Sequence, residues 1–153
     1  MRRNRKPREV VPPANLEFSD LRQNCSDPRM RVALDRLAAC DLTHELRTED
    51  LSGPLNLSTS RLRHLFQQQV GFSPAQIFKL RRLHTAKELL VSTFMRVKEV
   101  MTAVGLHDAS HFVHDFKRIY GQTPSQLRRQ ADARKAGEMG THQKASTHKA
   151  SAA

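Results

Sequence analysis

Residues 97–128 read VKEVMTAVGLHDASHFVHDFKRIYGQTPSQLR, and this stretch decides the fold. Its first part places apolar side chains at i, i+3, i+4 and i+7, which is the spacing of one helix face: Val97, Val100, Met101 and Val104. Gly105 is a suitable residue to end that helix, and Asp108 is a suitable N-cap for the next one. Two short helices joined by a tight turn that contains glycine predict a helix-turn-helix unit.

The same unit occurs earlier in the chain, displaced by 50 residues. The matching pairs are Leu62 and Phe112, Phe66 and Phe116, Gly71 and Gly121, Ser73 and Thr123, and Pro74 and Pro124. Each copy ends in Gly-x-Ser/Thr-Pro-x-Gln, in which the hydroxyl residue caps a new helix, proline fills its first position and glutamine completes a capping box. The sequence therefore predicts a duplicated helical unit.

Further helices surround the two copies. Asp27 and Pro28 open an amphipathic helix, and Thr48 caps a short one. Gly53 and Pro54 follow so closely that the supporting helix of the first unit must be short, bent or weak. Residues 73–92 form the longest helix, a rigid strut between the units. The predicted fold is all-α with about seven helices.

The predicted boundaries divide the chain into three parts. Residues 1–26 are expected to be a disordered basic arm and residues 131–153 a flexible tail, since neither shows a sustained period. Residues 27–130 are predicted to form the double helix-turn-helix domain, with the first unit at about 48–71, the linker helix at about 73–92 and the second unit at about 96–121.

The charge balance favours a polyanionic partner. The chain has 26 Lys and Arg against 15 Asp and Glu, a formal charge of +11. Such a surplus is typical of nucleic-acid-binding proteins, although a basic protein without an anionic partner is the alternative. Cys25 and Cys40 lack metal-ligand or CxxC spacing and are expected to be reduced thiols. We expect neither a membrane span nor a signal peptide.

Two longer patterns allow a family to be named. Residues 58–90 read SxxRLxxLFxxxxGxSPxxxFxxxRLxxAxxLL, and residues 97–128 read VxxVMxxVGLxDxSHFxxxFKxxYGxTPxxLR. Together they resemble the DNA-binding region of AraC/XylS-type bacterial transcription regulators. The resemblance implies two helix-turn-helix units, each inserting its second helix into the major groove of one double-stranded DNA site.

The resemblance also implies which residues touch DNA. Base edges would be read by outward residues of the two recognition helices: Ser60, Arg61, Arg63, His64 and Gln67 in the first, and Ala109, Ser110, Val113 and His114 in the second. Phosphate contacts, which position the protein without reading sequence, would come from Lys117, Arg118, Arg128 and Arg129. We expect more direct readout from the first unit, because Ala109 and Val113 can only touch a thymine methyl group.

The sequence departs from the family pattern at three positions of the second unit. His114 stands where arginine is usual, Met101 where alanine is usual, and Leu106 where phenylalanine is usual. The two apolar exchanges are mild, whereas His114 removes a permanent positive charge from the second recognition helix.

Other chemistries find little support in the residues. His107, His111 and His114 are spaced to share a helix face, but no carboxylate or cysteine completes a metal site around them. The sequence has no GxSxG motif, no glycine-rich phosphate loop and no paired carboxylates, so we expect no enzyme activity, cofactor or metal.

The predicted function is sequence-specific DNA binding and transcription regulation in the bacterial cytoplasm, at the nucleoid. RNA polymerase is a further candidate partner, and a monomer with two recognition helices is sufficient for an asymmetric site. We expect no small-molecule effector domain in this chain, which is either a self-contained DNA-binding protein or a fragment of a longer regulator. The alternatives are a non-specific or architectural DNA-binding protein, and an interaction module that has lost DNA binding.

Overall fold

The computed structural model describes residues 18–144, and side chains within residues 19–137. This part of the chain is all-α, as predicted, with eight α-helices instead of about seven and one short 3-10 helix. The α-helices are α1 Phe18–Asn24, α2 Pro28–Ala39, α3 Thr48–Ser52, α4 Thr59–Gln69, α5 Pro74–Ser92, α6 Val97–Ala103, α7 Ala109–Tyr120 and α8 Pro124–Lys144. Within residues 18–144 none of them has the length and hydropathy needed to span a bilayer.

The predicted capping residues begin the helices as expected, except at α3, where Thr48 is the first helical residue and the N-cap is Arg47, without a side-chain hydrogen bond. The Ser73 hydroxyl accepts a hydrogen bond from the backbone N–H of Gln76 at 3.3 Å, and the Gln76 side chain accepts one from the Ser73 N–H at 2.8 Å. Thr123 and Gln126 repeat this capping box at 3.3 and 2.8 Å. The repeat in the sequence is therefore also a repeat of local structure. In each capping box the hydroxyl and the glutamine side chain both accept from backbone N–H groups that a helix leaves unpaired.

The supporting helix of the first unit is short, which confirms the prediction from Gly53 and Pro54. Helix α3 has five residues and passes directly into the 3-10 helix Gly53–Leu55. Asn56 then takes a left-handed conformation with φ 52°, and the Leu57 N–H returns to the carbonyl oxygen of Ser52 at 3.1 Å. The tighter 3-10 turn accommodates Pro54 because proline at an early helical position removes no needed donor.

Part of the predicted N-terminal arm is ordered. Helix α1 occupies Phe18–Asn24, where a disordered arm through residue 26 was expected. Leu21 and Cys25 are buried in the first core, and Arg22 pairs with Asp35 of α2 at 2.9 Å. A single turn of apolar residues gives little periodicity in sequence, so its order comes from packing against α2. Residues 1–17, with the rest of the predicted arm, lie outside the described residues.

The last helix is longer than predicted. Helix α8 continues past residue 130 to Lys144, into the segment expected to be a flexible tail. Ala131 is buried, the Lys135 amine donates to the carbonyl oxygen of Thr93 at 3.0 Å, and Arg128 pairs with Asp132 one turn later at 3.2 Å. These contacts stabilise helical residues whose sequence lacks an apolar period. Residues 145–153 lie outside the described part.

The linker helix α5 belongs to both hydrophobic cores. Its N-terminal half buries Ile77 and Phe78 in the first core, around Phe66 of α4. Its C-terminal half buries Leu83, Ala86 and Leu90 in the second core, with Phe112 and Phe116 of α7. Full burial of each Leu or Phe side chain contributes about 1.5–3 kcal/mol, so α4 and α7 are both held firmly against one continuous helix.

Candidate nucleic-acid interface

Helix α4 separates its side chains into a buried and an exposed face. Its N-cap Ser58 accepts a hydrogen bond from the Arg61 N–H at 3.2 Å, while Leu62, Leu65 and Phe66 are buried in the first core. The five predicted base-reading residues are all exposed: Ser60, Arg61, Arg63, His64 and Gln67. The Gln67 amide donates one hydrogen bond to the carbonyl oxygen of Gly71 at 3.0 Å, which leaves its side-chain oxygen and its second N–H for other hydrogen bonds.

Helix α7 repeats this arrangement with a less polar outer face. Phe112 and Phe116 are buried and contact each other edge to face, with ring centroids 5.5 Å apart. The four predicted base-reading residues are exposed: Ala109, Ser110, Val113 and His114. Two of these cannot donate hydrogen bonds, so the outer face of α7 offers fewer polar atoms than that of α4.

The N-terminus of α7 is fixed by Asp108. Its carboxylate accepts a hydrogen bond from the His111 N–H at 2.8 Å, and the His111 ring lies 3.1 Å from the same carboxylate. The backbone hydrogen bond from His111, followed by the charge of that ring, lowers the pKa of Asp108. The cap is therefore ionised at neutral pH, where it complements the positive end of the helix.

A buried carboxylate on α7, missed in the sequence, anchors this helix to the linker. Asp115 is 7% exposed, and its carboxylate lies 2.6 Å from the Lys79 amine of α5. Arg118 at 3.5 Å and His114 at 3.6 Å lie on its other side. The spacing of Asp115 from Phe112 and Phe116 could have predicted this burial. A residue three positions after one buried residue and directly before another lies on the buried face of a helix. A buried carboxylate requires such partners.

The predicted phosphate-contacting residues fall into two groups. Lys117, Arg118 and Arg129 are exposed. Arg128 instead points into the protein, where its guanidinium donates to the carbonyl oxygens of Leu90 and Thr93 at the end of α5. Its side chain is 13% exposed and pairs with Asp132. Arg128 thus satisfies carbonyl groups that the linker helix leaves open at its C-terminus, and we withdraw it as a phosphate contact.

The neighbours Arg128 and Arg129 allow a matched test. We expect Arg128→Ala to lower the free energy of unfolding in urea by about 1.5–3 kcal/mol, because charged hydrogen bonds to two helix-end carbonyls are lost. Arg129→Ala should change stability by less than about 0.5 kcal/mol, yet reduce the salt slope of duplex binding by about 1. Binding is measured by fluorescence anisotropy on a mixed-sequence duplex. The opposite pattern, with stability lost only at Arg129, would contradict these assignments.

Two of the histidines near the N-terminus of α7 lie beside carboxylates. Within the described residues no group of three or more His, Cys, Asp and Glu side chains is placed to hold a metal ion. His111 is paired with Asp108, and His114 lies beside Asp115, so the two rings are engaged by separate carboxylates.

Comparison with known proteins places this arrangement among DNA-binding regulators. A helix-turn-helix domain family matches residues 51–130. The arabinose operon regulatory protein of Escherichia coli K12 is 42% identical over 72 residues, which are 47% of this chain and 25% of that protein. The chain spans between 25% and 42% of the length of the curated relatives it matches.

The solved structures that resemble this chain are also DNA-binding domains of transcriptional regulators. A transcriptional regulator with an AraC-type DNA-binding domain from Chromobacterium violaceum has a TM-score of 0.62 and 26% identity, over 68% of this chain and 92% of the other. The DNA-binding domain of the global transcriptional factor AdpA, solved in complex with a target DNA, has a TM-score of 0.59 and 26% identity. That match covers 71% of this chain and 96% of the AdpA domain.

Proposed function

Because this chain belongs to the AraC-type helix-turn-helix family of DNA-binding transcription regulators, we propose that it binds double-stranded DNA sequence-specifically and regulates transcription. Helices α4 and α7 enter successive major-groove segments, with their N-terminal turns toward the base edges. An α-helix fits the width of a major groove, and two such sites on one side of a duplex lie about 34 Å apart.

The observation that carries this proposal is the duplicated division of α4 and α7 into buried and exposed faces. Each helix has a side-chain N-cap, buried aromatic or leucine anchors (three on α4 and two on α7) and an outer face of exposed residues. The AdpA domain, which shares this fold, was solved with a target DNA. Exposed arginines on α4, Lys117 on α7 and Arg129 on α8 supply the positive charge that such binding needs.

Selection from a random duplex library tests the proposal. A sequence-specific regulator should enrich a bipartite motif whose two halves are centred about 10–10.5 bp apart, since each half contacts one recognition helix. The half-site read by α4 should be the better defined, because Arg61 and Arg63 can each hold a guanine by two hydrogen bonds. Retention of DNA without any enriched motif would contradict sequence-specific binding.

Substitution of Arg63 tests the reading by α4. We expect Arg63→Ala to weaken binding to the selected duplex by about 1–3 kcal/mol and to relax selectivity at one base pair, because a bidentate contact to guanine is lost. Arg63→Lys keeps the charge but not the planar fork, so it should relax selectivity while retaining most of the salt dependence. Measurements use competition with duplexes changed at single positions. Equal losses on every duplex would show that Arg63 contacts only phosphate.

A non-specific or architectural DNA-binding protein is the second candidate, and the outer face of α7 favours it. Ala109 and Val113 offer no hydrogen bonds, and the His114 ring lies 3.6 Å from the Asp115 carboxylate. Library selection separates the two candidates. If Arg63→Ala together with Lys117→Ala leaves duplex affinity and its salt slope unchanged, groove binding fails and an interaction module is indicated instead.

The proposal also sets the cellular context. A regulator of this kind works on promoter DNA at the nucleoid, in the bacterial cytoplasm, with RNA polymerase as a second partner. One chain carries two recognition helices, so a monomer is sufficient to bind an asymmetric bipartite site.

A further inference from the structure

The segment between α2 and α3 lies between the two units of the protein. Leu42 packs against both hydrophobic cores. Asp41 orders the segment internally, since its carboxylate accepts hydrogen bonds from the backbone N–H and hydroxyl of Thr43, both at 2.8 Å. We call residues 41–44 the brace, because this backbone reaches from the first unit to the second.

Arg82 of the linker helix holds the brace in place. Its guanidinium donates to the carbonyl oxygen of Leu42 at 2.9 Å and to that of His44 at 2.7 Å. The guanidinium carbon also lies 4.7 Å from the ring centroid of Phe78, which is buried in the first core. The planar fork of an arginine can bridge two carbonyl groups while stacking on a ring, which a lysine cannot do. Arg82 therefore fixes the brace to α5 at two points.

The turn of the second unit rests directly on the brace. Gly105, at φ +69°, joins α6 to the loop before α7. A Cβ atom at Gly105 would lie 2.2 Å from the Leu42 carbonyl oxygen, 2.8 Å from Thr43 Cα and 3.1 Å from an Arg82 guanidinium nitrogen. The contact is thus backbone against backbone, and neither partner can move aside by changing a rotamer.

We propose that Arg82 and the brace set the relative placement of the two recognition helices and thereby the half-site spacing that the protein accepts. The second unit is attached to α5 through the second core and through the pair between Asp115 and Lys79. All of these contacts are made with the single helix α5. The brace adds a second attachment between the two units, away from the axis of α5. This attachment restrains rotation of one unit relative to the other about α5. The consequence for DNA rests on the proposed function, whereas the mechanical role does not.

Distance measurements on the DNA-free full chain test the mechanical role. Spin labels are placed at Gln68→Cys on α4 and His111→Cys on α7, both exposed positions, in a Cys40→Ser background. Cys25 is 1% exposed and remains unlabelled. We expect Arg82→Ala to widen the distance distribution by roughly twofold, because the units gain freedom to rotate. An unchanged width would overturn the inference.

Arg81 is the matched control for this measurement. Its guanidinium donates to the carbonyl oxygens of Leu37 and Cys40, at the end of α2. These hydrogen bonds join α5 to the first unit only. Arg81→Ala should lose stability without widening the distribution. Equal widening in both variants would overturn the inference, because general loosening would then explain it. Arg82→Lys, which keeps the charge but not the planar fork that reaches both carbonyl groups, should give an intermediate width with native helix content by circular dichroism.

Selection on DNA tests the consequence. A duplex library with two random blocks and variable spacing is offered to the wild type and to Arg82→Ala. The wild type should enrich a single spacing, and the variant should enrich half-sites over several spacings. A variant that keeps the single spacing overturns the role in selectivity. If no motif is enriched by the wild type, the proposed function fails, whereas the spin-label result still decides the mechanical role.

Discussion

The affinity of the chain for duplex DNA is expected to fall by about 10³- to 10⁵-fold between 50 and 200 mM salt, if about 6–10 phosphates are neutralised. The cause is counterion release, since each basic side chain that contacts a phosphate frees ions condensed on the duplex. We expect exposed basic residues at and after the end of α7 to be among those that make these contacts: Lys117, Arg118 and Arg129. Fluorescence anisotropy titrations over a salt series measure the slope.

Charge removal at two different places shows whether the slope arises at this surface. Replacement of Lys117 and Arg129 by Gln should reduce the magnitude of the slope by about 2, one unit for each lost phosphate contact. Arg22→Gln removes one charge at an ion pair with Asp35 in the N-terminal region and should leave the slope unchanged. A shallow slope for the wild type, or equal effects of charge removal at both places, would contradict binding through α4 and α7.

Gly105→Ala is expected to destabilise the protein by about 2–5 kcal/mol. A non-glycine residue at a left-handed φ costs about 1–2 kcal/mol, and forcing an extra carbon into a packed site costs about 1–3 kcal/mol more. The added Cβ would lie 2.2 Å from the Leu42 carbonyl oxygen, so the brace or the turn must shift. Urea denaturation followed by circular dichroism measures the change in the free energy of unfolding.

Gly121 provides the control for backbone strain. It has almost the same conformation, φ +73°, but a Cβ there would meet no atom within 4 Å. Gly121→Ala should therefore cost only the conformational penalty of about 1–2 kcal/mol. Equal losses at the two glycines would mean that contact with the brace contributes nothing, and the packing argument for Gly105 would then be wrong.

Local residues were enough to predict most of the framework. Ser73 and Gln76 form the capping box expected from their spacing, and Phe112 and Phe116 are buried as the helical period requires. These features depend on residues within a few positions of each other, so the sequence alone contains the relevant geometry. The shortness of the supporting helix that ends at Gly53 and Pro54 was equally predictable, because proline acts on the backbone of its own turn.

Other residues took roles that no local pattern contains. Arg128 looked like a phosphate contact, yet it binds the carbonyl oxygens of Leu90 and Thr93, 38 and 35 residues away in sequence. Helix α1 was missed because Leu21 and Cys25 become buried only when α2 is present. In each case the partner is distant along the chain and close only after folding.

By itself the sequence determined two helical units repeated at an interval of 50 residues, the caps that begin their helices and the outward faces of α4 and α7. The tertiary structure decided which charged residues are available to a partner and which are consumed inside, since Arg81, Arg82 and Arg128 all donate to backbone carbonyls. The physical reason is that helix period and capping are set by near neighbours, whereas the partner of a long cationic side chain depends on which carbonyl groups folding brings within its reach.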